Sequence, residues 1–135
     1  MKNKIKLPGA RTKFSAIILA GGKGSRFGSS IPKPFMSLNG KPVIQHAIDT
    51  IEPLVDEVIV VSKEPYKYYK HAKAGLTRAE SVYNGLKKCS NPKYVIIHDG
   101  ARPFIKSGTV NKMKQLLKDG VKSVDTVSEI VDGFI

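Results

Sequence analysis

The chain has 135 residues, 41% of them apolar and 25% charged, which suits a single globular domain with a real core and excludes disordered or fibrous classes. No apolar run reaches membrane-spanning length, the N-terminus lacks the apolar centre of a secretory signal, and the single cysteine, Cys89, excludes an internal disulfide, so a cytoplasmic protein with no membrane partner is expected. The net charge of +12 comes mostly from scattered lysines, the pattern of a solvated surface, so no nucleic-acid partner is expected.

Residues 1–13 are basic, carry Pro8-Gly9 and show no period, and read as an N-terminal tail before a domain over 14–135. Phe14–Leu19 is a short, β-branched apolar run and reads as a buried strand. It stops at Ala20-Gly21-Gly22, and glycines at 22, 24 and 28 follow. Such a loop lets the backbone reach positive φ and lets its amides face phosphate oxygens. Arg26 and Lys33 place two cations beside it. The spacing is one residue longer than the dinucleotide fingerprint, and the Gly-Lys-Ser/Thr ending of a Walker loop is absent. Taken alone, a strand followed by such glycines is more often just a tight strand-to-helix turn.

Apolar residues at 43, 44, 47, 48, 51 and 54 predict a helix over Pro42–Leu54, with His46 packed and hydrogen-bonded rather than catalytic. Glu57–Val61 reads as a second buried strand, completing a βαβ unit. Ser62–Ala74 reads as a surface turn or short helix packing its tyrosines, Tyr66, Tyr68 and Tyr69. Thr77 and Glu80 have capping-box spacing and open a helix to about Cys89, in which Ala79, Val82 and Leu86 supply the apolar positions. Cys89 reads as inert packing. Tyr94–His98 is a third parallel-type strand, which puts Asp99 at its carboxyl end, where open α/β sheets bind ligands. An ion pair between Asp99 and Arg102 is the plainer alternative. A last helix is expected over Thr109–Lys118, ended by Gly120. No Cys/His cluster has zinc spacing, and no protein metal site is read.

In order along the chain stand A-G-G-x-G-S-R with P-K-x-F, then G-x-T-R-x-E-S-V-x-N-G-L, then H-D-G-A-R-P-F, and Asp125-Thr126 near the end. This order resembles the 2-C-methyl-D-erythritol 4-phosphate cytidylyltransferase family, within the nucleotidyltransferases that load sugar or polyol phosphates. The resemblance spans about Ala16 to Thr126, the front part of the family's usual length, and the chain is expected to be a fragment or a reduced form. It implies an α/β fold, a Rossmann-like three-layer sandwich with a mainly parallel sheet, truncated in its later part. It implies transfer of CMP from CTP to 2-C-methyl-D-erythritol 4-phosphate with release of pyrophosphate. The same chemistry on ribitol 5-phosphate, or a catalytically incomplete CTP-binding domain, are the alternatives.

Residue by residue, the resemblance makes Arg26 and Lys33 the catalytic cations, and Ala20, Gly21, Gly22 and Gly24 the triphosphate loop. Gly75 and Ser81 hold the cytosine, and Asp99 contacts ribose or the second substrate. Arg102 and Thr126 join Asp99 on the polyol-phosphate side. Mg²⁺ is implied, bound mainly through the CTP phosphates, and a homodimer is a candidate assembly. Two positions depart from the family pattern: Leu76 stands where an acidic residue usually follows the glycine, and Ser128 replaces the lysine after Asp125-Thr126.

Overall fold

The side chains of β1 (Phe14–Leu19) are all buried, because this strand is paired on both edges and covered on both faces. The computed structural model describes residues 13–21 and 31–126. After β1 come a two-stranded hairpin, β2 (Ser37–Leu38) and β3 (Lys41–Pro42), and helix α1 (Val43–Ile51). Strands β4 (Glu57–Ser62) and β5 (Lys70–Lys73), helix α2 (Arg78–Lys88), strand β6 (Tyr94–Asp99) and helix α3 (Ser107–Lys118) complete it. The main sheet has the order β5-β4-β1-β6 and is parallel throughout. Ile17 sits in register with Ile59 on one side and Ile97 on the other.

The two-residue side-chain period of a strand divides the core into two layers. Ala16, Ile18, Val58 and Val60 face Ile44, Ile48 and Ile51 of α1 and Val110 of α3. Ile17, Leu19, Ile59 and Val61 face α2, which adds Val82 and Cys89. The result is the expected three-layer α/β/α arrangement. Ile48 is fully buried, so truncating it to alanine would cost roughly 2–5 kcal/mol.

Local chemistry shifts several boundaries. The predicted helix Pro42–Leu54 begins at Val43, with Pro42 as its N-cap, and changes to a 3-10 turn over Glu52–Leu54. Pro53 has no N–H to continue the α-helical ladder. The Asn39-Gly40 turn, both residues at positive φ (51° and 86°), closes the β2–β3 hairpin, the geometry that favours this dipeptide. Lys13, assigned to the tail, is anchored: its N–H donates to Asp56 Oδ2 at 3.1 Å and its carbonyl accepts from Tyr94 N–H at 2.8 Å.

The segment from Ser62 to Ala74 departs from the sequence reading, because it contains a strand. β5 carries only one buried apolar residue, Ala72, among two lysines and a histidine, so no apolar alternation marks it. Its order comes from backbone pairing with β4, and its exposed lysines suit a sheet edge. Tyr66 and Tyr69 do pack inside, where Tyr66 Oη donates to Gln45 Oε1 at 2.6 Å, whereas Tyr68 is exposed. Along α2 the buried residues are Ser81 and Gly85, while Ala79 and Leu86 face solvent. A Cβ at Gly85 would lie 2.9 Å from Ile17 Cγ2 and 3.0 Å from Val61 Cγ2. Glycine there brings the helix axis close to the sheet and rotates the buried stripe away from the apolar positions.

Candidate active site

Three loops leave the carboxyl end of the sheet side by side, and two glycines permit their close approach. Ala20 N–H donates to Val61 O at 2.7 Å, and a Cβ at the following Gly21 would lie 2.3 Å from Ala74 Cβ. On the other side, Gly100 N–H donates to Leu19 O at 2.7 Å, and a Cβ at Gly100 would come within 2.9 Å of that same oxygen. Larger residues at either point would push the loops apart.

Between the ends of β1 and β5 and the start of α2 lies a cavity of about 440 Å³. Leu19, Gly21 and Asp99 wall it from the sheet side, and Gly75, Leu76, Thr77, Arg78 and Ser81 from the α2 side. The helix start is held firmly. Thr77 Oγ1 accepts from Glu80 N–H at 3.1 Å, and Glu80 Oε1 accepts from Leu76 N–H at 2.8 Å. This is the expected capping pattern, reaching one residue further back than a reciprocal box. Ser81 Oγ accepts from Gly75 N–H at 2.9 Å, so its own hydroxyl hydrogen is left to donate to a ligand. Leu76, at the departure noted above, is almost fully exposed at the rim.

A second, larger cavity of about 870 Å³ adjoins the first and is lined by the turn after β6, the start of α3 and the segment at Asp125-Thr126. Asp99 shapes its near wall. Its Oδ1 accepts from Ala101 N–H at 3.0 Å, Arg102 N–H donates to Asp99 O at 3.0 Å, and Arg102 O is 2.8 Å from His98 Nε2. The alternative ion pair is present: Arg102 Nε lies 3.7 Å from Asp99 Oδ2, with both side chains well exposed. An exposed pair of this kind contributes little to stability, so it leaves both groups usable by a ligand. Arg78, Arg102 and Lys106 give this cavity three cations against Asp99 and Asp125.

The structure therefore brings Gly21, Gly75, Ser81 and Asp99 together around the first cavity, and Asp99, Arg102 and Thr126 around the second. Ala20 is buried in the core layer with its N–H committed to Val61, and it lines neither cavity. Lys33 opens a 3-10 helix over Lys33–Phe35 and also lies outside both linings. Gly22, Gly24 and Arg26 lie outside the described residues. Sequence reasoning passed over Arg78, Lys106 and Thr109. For Arg78 a signal existed: a cation in the first turn of a helix opposes the helix dipole.

Residues 14–134 match the family described as 2-C-methyl-D-erythritol 4-phosphate cytidylyltransferase. The chain belongs to this family. A 2-C-methyl-D-erythritol 4-phosphate cytidylyltransferase of Chlamydia pneumoniae is 46% identical over 101 residues, covering 69% of this chain and 47% of its own length. Among solved structures, the bifunctional IspDF from Campylobacter jejuni superposes with a TM-score of 0.68 at 25% identity, over 79% of this chain and 31% of that one. A CMP:2-keto-3-deoxy-manno-octonic acid synthetase solved with CTP gives 0.64 at 24% identity, over 80% and 48%, and shares the fold. The chain spans about half the length of the curated cytidylyltransferases it matches.

Among the described residues no group of three or more His, Cys, Asp and Glu is placed to hold a metal ion, and no helix is long and apolar enough to cross a membrane. Burial opposes ionisation of Glu57, but the Lys70 ammonium, the Ser15 hydroxyl and the Ser90 amide and hydroxyl outweigh it and hold the carboxyl at about 2. Burial pushes the Cys89 thiol up, which keeps it protonated and agrees with its reading as packing. His46 Nε2 lies 2.6 Å from Leu38 O, a structural contact as expected.

Proposed function

We propose that the chain binds CTP in the first cavity and a polyol phosphate in the second, and transfers CMP to 2-C-methyl-D-erythritol 4-phosphate in isoprenoid biosynthesis. The observation that carries this reading is the adjacency of two chemically different cavities in a chain of this family: one walled by glycines and the Ser81 hydroxyl, the other by Arg102 and Lys106, with Arg78 and Asp99 on the border they share. An oxygen of the acceptor phosphate attacks the α-phosphorus of CTP and forms the new P–O bond. The bond from that phosphorus to the bridging oxygen breaks, and pyrophosphate leaves with the electron pair. No covalent intermediate on the protein is required, so the chain's task is positioning and charge stabilisation.

In this assignment Ser81 donates to an acceptor atom of the cytosine ring while holding Gly75 in place. Gly21, with Gly22 and Gly24 beyond it, admits the triphosphate, and Arg26 and Lys33 stabilise the charge that develops on it. Asp99 and Arg102 orient the acceptor with Thr126. Mg²⁺ on the triphosphate would neutralise charge on the departing pyrophosphate. An ion carried by phosphate oxygens and water needs few protein ligands, and the single carboxylate of Asp99 on the cavity border fits that demand. We assign the protein to the cytoplasm and take a homodimer as the working assembly.

The test is pyrophosphate release with CTP and Mg²⁺, run with 2-C-methyl-D-erythritol 4-phosphate and with ribitol 5-phosphate in parallel. Release with the first alone is the expected result, and release with ribitol 5-phosphate alone would reassign the acceptor. The half-length match to the relatives favours one second reading, a CTP-binding unit without turnover. Tight CTP binding with silence toward both acceptors would establish it.

A further inference from the structure

The two cavities share two lining residues, Asp99 and Arg78. Asp99 already has partners in the turn after β6, where Ala101 N–H and Arg102 Nε face its two oxygens. Arg78 is different. It is exposed at the first position of α2, and among the described residues its guanidinium makes no ion pair or hydrogen bond. The nearby carboxylate of Glu80 is turned back onto Leu76 N–H. Local energetics gives no reason for a cation there either, since the helix dipole opposes it.

We propose that Arg78 is a catalytic residue that contacts both reacting phosphates, the α-phosphate of the nucleotide and the phosphate of the acceptor. This rests on the assignment of the two cavities made above. If a nucleotide fills one and an acceptor phosphate the other, the attacked phosphorus and the attacking oxygen must meet at their common border, where Arg78 stands. Bringing two anions together is opposed by their own repulsion. A guanidinium offers several N–H donors in a rigid fork, and one such group spans two oxyanions better than an ammonium does. Thr77 and Glu80 clamp the turn from which Arg78 projects, so the group is anchored at its base and free at its tip.

The test is calorimetric titration of the full chain with CTP·Mg²⁺, with cytidine, and with 2-C-methyl-D-erythritol 4-phosphate, each separately. Arg78→Gln should weaken CTP and the acceptor each by about tenfold, in line with loss of a charge-assisted hydrogen bond, and leave cytidine unchanged. Arg78→Lys should recover part of both losses. Ser81→Ala should weaken CTP and cytidine but not the acceptor, and Arg102→Gln the acceptor alone. Weakening of only one phosphate ligand by Arg78→Gln, or of cytidine as well, would overturn the proposal while leaving the cavity assignment intact. If Ser81→Ala and Arg102→Gln fail to separate the ligands, or the unaltered chain binds neither, the cavity assignment fails and this inference with it.

Discussion

At the amino end of the sheet, Glu57 accepts from Lys70 Nζ at 2.8 Å, Ser90 N–H at 2.7 Å, Ser90 Oγ at 3.0 Å and the Ser15 hydroxyl. Lys70 also caps the end of α2 by donating to Lys88 O at 3.0 Å. Beside it, Asp56 Oδ2 accepts from the N–H groups of Lys13 and Phe14. At the carboxyl end, by contrast, the Arg78 guanidinium has no partner among the described residues and that of Arg102 has one exposed, long contact. Glycines stand where side chains would fill the space. One end ties β1, β4, β5, α2 and β6 together, and the other leaves donors open to solvent. Polar groups satisfied within the fold support stability, and groups left unsatisfied at a cavity are available to a ligand.

This contrast predicts opposite phenotypes for charge removal at the two ends. The largest effect should come from Arg102→Ala, which on the proposed function lowers kcat/KM for the acceptor by about 100-fold and leaves the melting temperature unchanged. An equal loss of stability would break the contrast. Glu57→Gln should do the reverse, costing about 2 kcal/mol in urea unfolding with CTP affinity per folded molecule intact.

The pH dependence sharpens the same point. The Glu57 carboxyl is held at about 2 in the fold, below its ordinary value of 4.5, so the folded state favours its ionised form. The stability this contributes is present above about pH 4.5 and is lost as pH falls toward 2. Urea midpoints of the unaltered chain and Glu57→Gln should therefore converge between those values, and a constant gap would contradict the network. The smallest effect is expected for Thr77→Ala, about 1 kcal/mol from the lost N-cap, together with weaker CTP binding because the Gly75–Ser81 wall loosens. Normal CTP affinity at reduced stability would assign Thr77 to the fold alone.

Much of the fold was legible because it rests on short-range rules. Phe14–Leu19 appears with the predicted bounds, and Thr77 caps Glu80 as its spacing demands. Of the candidate site, Gly75, Ser81, Asp99, Arg102 and Thr126 were legible through motif order, and they do gather at the sheet's carboxyl end. Arg78 was visible as one letter of a motif and as a cation set against the helix dipole. Its role as the border between two cavities depends on where β6 lies relative to α2, which no local pattern encodes.

The sequence alone determined strands β1, β4 and β6, the three helices between and after them, and the capped start of α2, since these depend on apolar period and on hydrogen bonds within a few residues. Tertiary structure decided that Lys70–Lys73 becomes a strand, that Gly85 rather than Leu86 meets the sheet, and that Glu57 gathers Ser15, Lys70 and Ser90 around one carboxylate. Each of these joins residues far apart in the chain, and such contacts exist only once the layers have packed.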